Sequence, residues 1–399
     1  MSDLVDYVHV SNAVRNTLDL VSISSVTGDT RQVAARYEQM LRDSGCTVTR
    51  YDLVPDNPTL IAVYESPAYA EAAASSDELE RKRAKTILLN GHMDVIPLPH
   101  EPARIENGRI YGRGTCDMKG SLACAIEVLR VLRTYGEDVP VRLMIVANSL
   151  HESPGGRGED LIALTEQVQL QADAAIVLEG ATRECTIAQL GSATFNITVR
   201  RAGETSHQLY TPEGTPHPIH AAADVIQALE QANKRLEEHY IDDIGFASYF
   251  IGSVHSGTFY NQFPVVSEIV GVRRYAPTEE FEAVKAEFEA ILQPIAQRHG
   301  LSITLELEKV RDGYRVNKED AAVKALVAAI HEVRGIDAPL VGKKLVTDAG
   351  ILSRALGIPV LCHGPDAITA HGDVEYVEVQ ELELAIKTYL QFIEEYVRS

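Results

Sequence analysis

A basic excess is missing from this sequence: 37 Lys and Arg stand against 57 Asp and Glu, a formal charge of −20 over 399 residues. A phosphate backbone or an anionic bilayer would be repelled, so neither nucleic acid nor a membrane surface is expected as a partner. Also missing is any apolar run near the roughly twenty residues that span a bilayer. Met1-Ser-Asp-Leu-Val-Asp-Tyr7 has neither a basic start nor an apolar core, so no export signal is expected. Cysteine is sparse. Cys46, Cys116, Cys124, Cys185 and Cys362 are scattered, odd in number and include no Cys-x-x-Cys pair. That speaks against a disulfide framework and for reduced thiols, hence a soluble cytoplasmic protein. No internal repeat is present, and Gly155-Gly-Arg-Gly158 lacks the Lys-Ser/Thr that a phosphate-binding loop needs. What remains, 45% hydrophobic and 24% charged residues, is an ordinary globular composition. The length allows two domains, or one large domain with an insertion.

Two stretches carry the chemistry. In Tyr111-Gly-Arg-Gly-Thr-Cys-Asp117-Met-Lys-Gly120, three glycines surround one carboxylate, and an apolar helical run, Ser121–Leu132, follows. Glycine lets a backbone bend tightly and approach a ligand closely. Cys116 beside this carboxylate has no activating arrangement that a sequence can show. About twenty-five residues upstream, Thr86-Ile-Leu-Leu-Asn-Gly-His92-Met-Asp94 reads as a buried strand delivering polar side chains at its carboxyl end.

The same pattern recurs along the chain. Helices are expected over 3–22 and 29–44, and strands over Cys46–Tyr51 and Thr59–Tyr64. Residues 66–84, rich in Ala, Ser and Glu, read as a solvated excursion. Strand Val141–Ala147 runs into His151-Glu152, and Ala174–Leu178 ends at Glu179. Alternating strands and helices of this kind predict an α/β domain with a mixed, largely parallel sheet. From about Gly191 the texture changes. Strands Ala193–Arg200, Gly252–Tyr260, Ser267–Arg274 and Ser302–Lys309 and helices Pro218–Lys234 and Thr278–His299 give a β-α-β-β-α-β order. That order predicts a ferredoxin-like α+β insert of about 120 residues. The expected division is 1–189 and 312–399 for the α/β domain and 190–311 for the insert. The second α/β segment holds helix 319–334, the loop Thr347-Asp348, strand Ile358–Cys362, His371 and helix 379–397.

His92, Asp117, Glu152, Glu179 and His371 thus fall at strand ends or loops of one domain. Two histidines and three carboxylates suit a pair of borderline divalent cations such as Zn²⁺, one carboxylate bridging. Thr347-Asp348 either lines that site or caps the following helix. His217, His220 and His363 read as lid or loop residues without a catalytic role.

The motifs around His92-Met-Asp94 and Gly108–Gly120 closely resemble the two signatures of a metallopeptidase family. Its members include acetylornithine deacetylase, succinyl-diaminopimelate desuccinylase, aminoacylase and glutamate carboxypeptidases. The likeness continues through Val177-Leu-Glu179-Gly, Gly203-Glu-Thr-Ser-His207, Asn261-Gln-Phe-Pro264, Arg274-Tyr-Ala-Pro277 and Ala370-His371-Gly-Asp-Val-Glu375, in order over nearly the whole chain. The resemblance implies His92 and Glu179 on one metal, His371 on the other, and Asp117 as bridge. It implies that Asp94 orients His92, the supporting contact such ligands need. The metals would be two Zn²⁺ per subunit, with Co²⁺ or Mn²⁺ as substitutes. The insert would be a lid and dimerisation domain of a homodimer, with His207 of the partner polarising the substrate carbonyl. Asn261 and Arg274 would meet a substrate carboxylate, for which Arg has the bidentate geometry. Lys119 and Tyr275 are taken as structural.

One motif departs from the family's pattern. Where Asp-Glu-Glu is usual, with the first Glu as general base and the second as ligand, this chain reads Leu150-His151-Glu152-Ser153. If the preceding strand sets the register, His151 is the base and Glu152 the ligand. If the Gly155–Gly158 turn sets it, Glu152 is the base and Ser153 replaces the ligand. Strand lengths are constrained more tightly than loop lengths, which favours the first. The implied activity is hydrolysis of an N-acyl amino acid or short peptide amide by a metal-activated water. A dipeptidase or exopeptidase of the same family is one alternative, and a non-catalytic metal- or ligand-binding member, allowed by the altered motif, is the other.

Overall fold

The computed structural model describes residues 4–152 and 156–399, which divide into two compact units. The first comprises residues up to Ile187, Val316–Val341 and Thr347–Ser399; the second comprises Ala188–Arg315 and Gly342–Val346.

The first unit is built on the strand Lys85–His92, whose residues from Thr86 onward are all buried. β-Branched and aliphatic side chains on both faces require cover on both faces, as in a doubly covered sheet. The strand pairs in parallel with Val141–Asn148 on one side and Ala174–Val177 on the other. Val360–Cys362 adds in parallel beside Ala174–Val177. Parallelism stops there. Asn57–Glu65 runs antiparallel to Val141–Asn148, Thr47–Val54 forms a hairpin with it, and Cys362 pairs antiparallel with Thr186. The sheet is therefore mixed, with a parallel centre whose carboxyl ends share one edge. Helix Lys119–Tyr135, buried almost throughout, packs between Val10–Ser22 and Val379–Arg398.

Two local expectations need correction. Residues 66–84 are a solvated excursion whose helical form was not anticipated: they form the helices Pro67–Ala74 and Glu78–Arg83. Ser66 and Asp77 cap them by accepting the Tyr69 and Leu79 amides, and Pro67 at the first helical position needs no donor. Composition hid these caps. The small sheet of Arg104–Glu106, Arg109–Tyr111 and Tyr376–Glu378 was also not anticipated, its strands being three residues each.

In the second unit, four antiparallel strands lie in the order Ser248–Ser256, Val266–Tyr275, Gly191–Arg200, Ser302–Arg311. Phe195, Ile197, Val199 and Ile269 from the sheet pack with Val225, Leu229, Phe288 and Leu292 from helices Pro218–Leu236 and Phe281–His299. Truncating Phe288 to Ala should cost about 3–5 kcal/mol. The strand expected over Gly252–Tyr260 instead occupies Ser248–Ser256. Gly191 is obligatory, since a Cβ there would sit 2.0 Å from the Tyr275 ring.

One buried acid in the first unit makes stability depend on pH. Asp160 accepts hydrogen bonds from the Ser149 amide (2.6 Å) and the Thr59 hydroxyl (2.8 Å), both at Oδ2. Burial, partly offset by those donors, pushes its pKa from 3.8 up to about 7. The protonated form is thus favoured by folding, and its contribution is present below pH 4 and lost as pH rises toward 7. Asp160→Asn should flatten that slope and leave the protein more stable than the parent at pH 8 by roughly 1–3 kcal/mol. Urea unfolding at pH 5 and pH 8 checks this; an unchanged slope would contradict it.

Candidate metal centre

The carboxyl edge of the parallel strands collects the polar residues. His92 ends its strand, fully buried, with Nδ1 3.0 Å from the Asp94 carbonyl and 3.4 Å from its Oδ1. Donation from Nδ1–H to that carbonyl fixes the tautomer that leaves the ring's free lone pair on Nε2. His92 Nε2 lies 3.1 Å from Asp117 Oδ1 and 3.4 Å from Glu179 Oε1. The Asp94 carboxylate also accepts the amides of His151 (3.1 Å) and Glu152 (2.9 Å) and the Thr27 hydroxyl (2.8 Å). It therefore sets the path of the chain just past the neighbouring strand.

Asp117 is presented by the glycine-rich loop, in which Gly114 has φ 88° and a Cβ would meet Val95 at 2.8 Å. The buried Glu375 holds this loop by accepting the amides of Gly114 (3.0 Å), Cys116 (3.2 Å) and Asp117 (3.3 Å), and it pairs with Arg113 at 2.8 Å. Sequence reading gave Glu375 no role, although it lies four positions after His371 within the same motif. Burial, with Glu375 adding to it, pushes the Cys116 thiol well above its usual pKa.

His371, half-exposed and at a left-handed φ of 62°, approaches from the opposite side. Such a backbone for a non-glycine residue is uncommon and gathers at ligand sites. Its Nε2 is 3.0 Å from Glu152 Oε1 and 3.3 Å from Asp117 Oδ2. Asp117 therefore turns one oxygen to each histidine. Ser153 and Gly155, on which the alternative register rests, lie outside the described residues.

The charges have no cationic partner but histidine: among the described residues Asp117, Glu152 and Glu179 form ion pairs with imidazoles alone. Burial opposes ionisation of Asp117, yet His371 and His92 hold it well below the usual carboxylate range. Asp117 and Glu152 outweigh burial at His371 and raise its pKa to about 10. Burial would depress His92, but Asp117, Asp94 and Glu179 hold it well above normal. Protons here occupy positions for which a divalent cation would compete.

The donors fit such cations. Bonds of 2.0–2.1 Å around a tetrahedral ion put neighbouring donors about 3.3 Å apart, close to the 3.1 and 3.4 Å found around His92. Glu179 Oε1 is buried and, among the described residues, accepts no hydrogen bond. Two donor groups emerge, His92–Asp117–Glu152 and His92–His151–Glu179. The second is not a ligand set. The rings of His92 and His151 are stacked, 4.1 Å between centroids and 3° from parallel. Imidazole lone pairs lie in the ring plane, so parallel rings aim along parallel lines and cannot both bind one ion.

His151 Nδ1 instead lies 3.1 Å from Asp348 Oδ2, and its Nε2 is 3.7 Å from Glu179 Oε1. Burial lowers the pKa of His151 and His92 opposes it further, but Asp348 and Glu179 prevail and bring it to about 9. Asp348 lines the site rather than capping its helix, because its side chain makes no capping hydrogen bond.

The second unit holds His207, His217, His220, Asn261, Arg274 and Tyr275. His207 is exposed, and its Nε2 accepts from Asn261 Nδ2 at 3.2 Å. Arg274 is half-buried on Val266–Tyr275, with Nη1 buried and, among the described residues, not hydrogen-bonded. His217 and His220 stack on each other at 4.2 Å. His363 is buried in the first unit, where burial lowers its pKa to about 4. Lys119 donates to the Leu20 and Ile23 carbonyls, and the Tyr275 hydroxyl donates to the Arg311 carbonyl.

Residues 88–395 match the model of Peptidase family M20/M25/M40. The chain is 27% identical to N-formyl-4-amino-5-aminomethyl-2-methylpyrimidine deformylase of Halalkalibacterium halodurans, over 93% of this chain and 89% of that one. It is 29% identical to succinyl-diaminopimelate desuccinylase of Halorhodospira halophila, over 76% of this chain and 81% of that one. The crystal structure of aminopeptidase PepT from Bacillus cereus superposes with a TM-score of 0.79 at 20% identity, over 98% and 99% of the two chains. That last likeness is one of fold.

Proposed function

This chain belongs to Peptidase family M20/M25/M40 and is a hydrolase of amide bonds, and on that premise we propose that it removes the acyl group from an N-acyl amino acid with two metal ions, zinc being the metal its donors suit. The observation that carries the reading is Asp117, whose Oδ1 faces His92 and whose Oδ2 faces His371. Glu179 completes the His92 side and Glu152 the His371 side, so every member of a two-cation site is supplied. When bound, the cations lower the pKa of a water and polarise the substrate carbonyl.

The chain's own residues do the rest. His151, whose raised pKa the positive charge of bound cations would lower again, takes the proton of the attacking water at Nε2 and returns it to the leaving amine. Asp94 holds both the His92 ring and the main chain of His151 and Glu152, so base and ligand keep a fixed separation. We assign the partner's His207 to the developing oxyanion and Asn261 and Arg274 to the substrate carboxylate. The buried, unbonded Nη1 of Arg274 supports that assignment. The second unit also offers the edge strand Ser248–Ser256, which supports homodimer formation through it. Five free, buried cysteines support a reducing compartment such as the cytoplasm.

Deacylation is tested by supplying N-acetyl and N-succinyl amino acids beside dipeptides and measuring amine release. Turnover of the acyl substrates at least tenfold above the dipeptides is expected. Hydrolysis confined to dipeptides would replace the deacylase reading with the peptidase one.

A further inference from the structure

We infer that Asp348 is the positioning residue of His151, fixing its ring so that Nε2, and not Nδ1, is presented to the metal centre. The inference rests on His151 as proton acceptor and adds a residue to that reading.

A carboxylate in the base position can use either oxygen, but a histidine has two unlike nitrogens, and a neutral ring accepts at only one of them. Putting His151 where the family's pattern has Glu therefore creates a requirement that the usual residue never had. Something must hold a hydrogen on Nδ1. Asp348 meets it. Its Oδ2 lies 3.1 Å from His151 Nδ1, within hydrogen-bond distance though off the ideal N–H direction, and the carboxylate is only 1% exposed. Its own orientation is set by Asn148, whose Nδ2 donates to Oδ2 at 2.7 Å from the end of strand Val141–Asn148.

The side chain is also withdrawn from its ordinary work. Asp348 stands at the N-cap of helix Ala349–Leu356 but makes no capping bond, and the Ala349 amide goes to the Thr347 hydroxyl at 3.2 Å. Aspartate at that position usually turns back to bond the first helical amides. Here it turns to the ring. The ring cannot swing away, because one face stacks on His92 and the His151 amide is bonded to Asp94. Asn148, Asp348 and His151 thus form a chain in which each member orients the next, the arrangement that a buried acid behind a catalytic histidine provides elsewhere.

The test is a double-mutant cycle with metal content measured alongside kcat and KM. Asp348→Asn should lower kcat by about 10²–10⁴-fold, since an amide can present its N–H to Nδ1 and favour the wrong tautomer. KM should change by less than about threefold, and both metal ions should remain. Asp348→Glu, which keeps the acid, should recover at least tenfold over Asp348→Asn. In a His151→Ala background, Asp348→Asn should add no further loss. An equal loss in that background, or a loss that follows missing metal, would make Asp348 a purely structural residue and overturn the inference. If Asp348→Asn folds poorly, Asn148→Ala reads the same coupling: a lower kcat with His151 present and no effect without it. Should His151→Ala alone retain the parent rate, the assignment of the base fails as well. Should His151→Ala be impaired and Asp348→Asn not, only the present inference fails.

Discussion

Asp117→Ala should leave a folded protein that retains at most one divalent cation per chain and has lost at least about 10⁴-fold in kcat/KM. The size of the effect follows from position. Among the described residues Asp117 is the one side chain that faces both His92 and His371, so its removal takes a donor from each cation and the screening charge between them. Two cations within a few ångströms of each other repel strongly unless a shared anion lies between them. The glycine-rich loop itself should survive, because Glu375 holds it through main-chain amides and not through the Asp117 side chain. Circular dichroism would confirm folding, and metal analysis the loss. A variant that kept two tightly bound ions would contradict the role given to Asp117.

Glu152→Ala should cost more than about a hundredfold in activity while sparing the ion on the His92 side. Glu152 Oε1 lies 3.0 Å from His371 Nε2, whereas His92 is served by Asp117 and Glu179. Loss of one ion of two, with the fold intact, is therefore the expected outcome. Glu152→Gln separates ligand from scaffold, since it keeps the volume but weakens the donor, and it should fall between the parent and Glu152→Ala. A near-parental rate for Glu152→Ala would defeat the assignment.

How much of this was legible before the structure depends on where the information is stored. The His92 strand could be read because a run such as Thr86-Ile-Leu-Leu fits only a strand buried on both faces, and a polar residue at its end has only the open edge to occupy. Asp117 was legible because glycines on either side advertise a close backbone approach. The register of His151 and Glu152 was not settled by sequence, since it is fixed by amides donated to Asp94, more than fifty positions away. Asp348 stood undecided between cap and site, because a residue of the neighbouring strand, Asn148, helps turn its carboxylate inward. Glu375 went unassigned because three of its partners are backbone amides, which leave no mark on composition. The misplaced edge strand over Gly252–Tyr260 shows the opposite weakness. Strand Ser248–Ser256 fully buries only Tyr249, and so weak an inward face gives its limits little hydrophobic pattern to set them.

The central claim is that side chains distant in sequence converge on a shared pair of cations. Anomalous diffraction from crystals of the zinc-loaded protein tests it most directly. Two peaks about 3.5–4 Å apart are expected. His92 and Glu179 should bind one, His371 and Glu152 the other, and Asp117 should bridge them, with His151 bound to neither. A single peak, or peaks that Asp117 does not touch, would contradict the account.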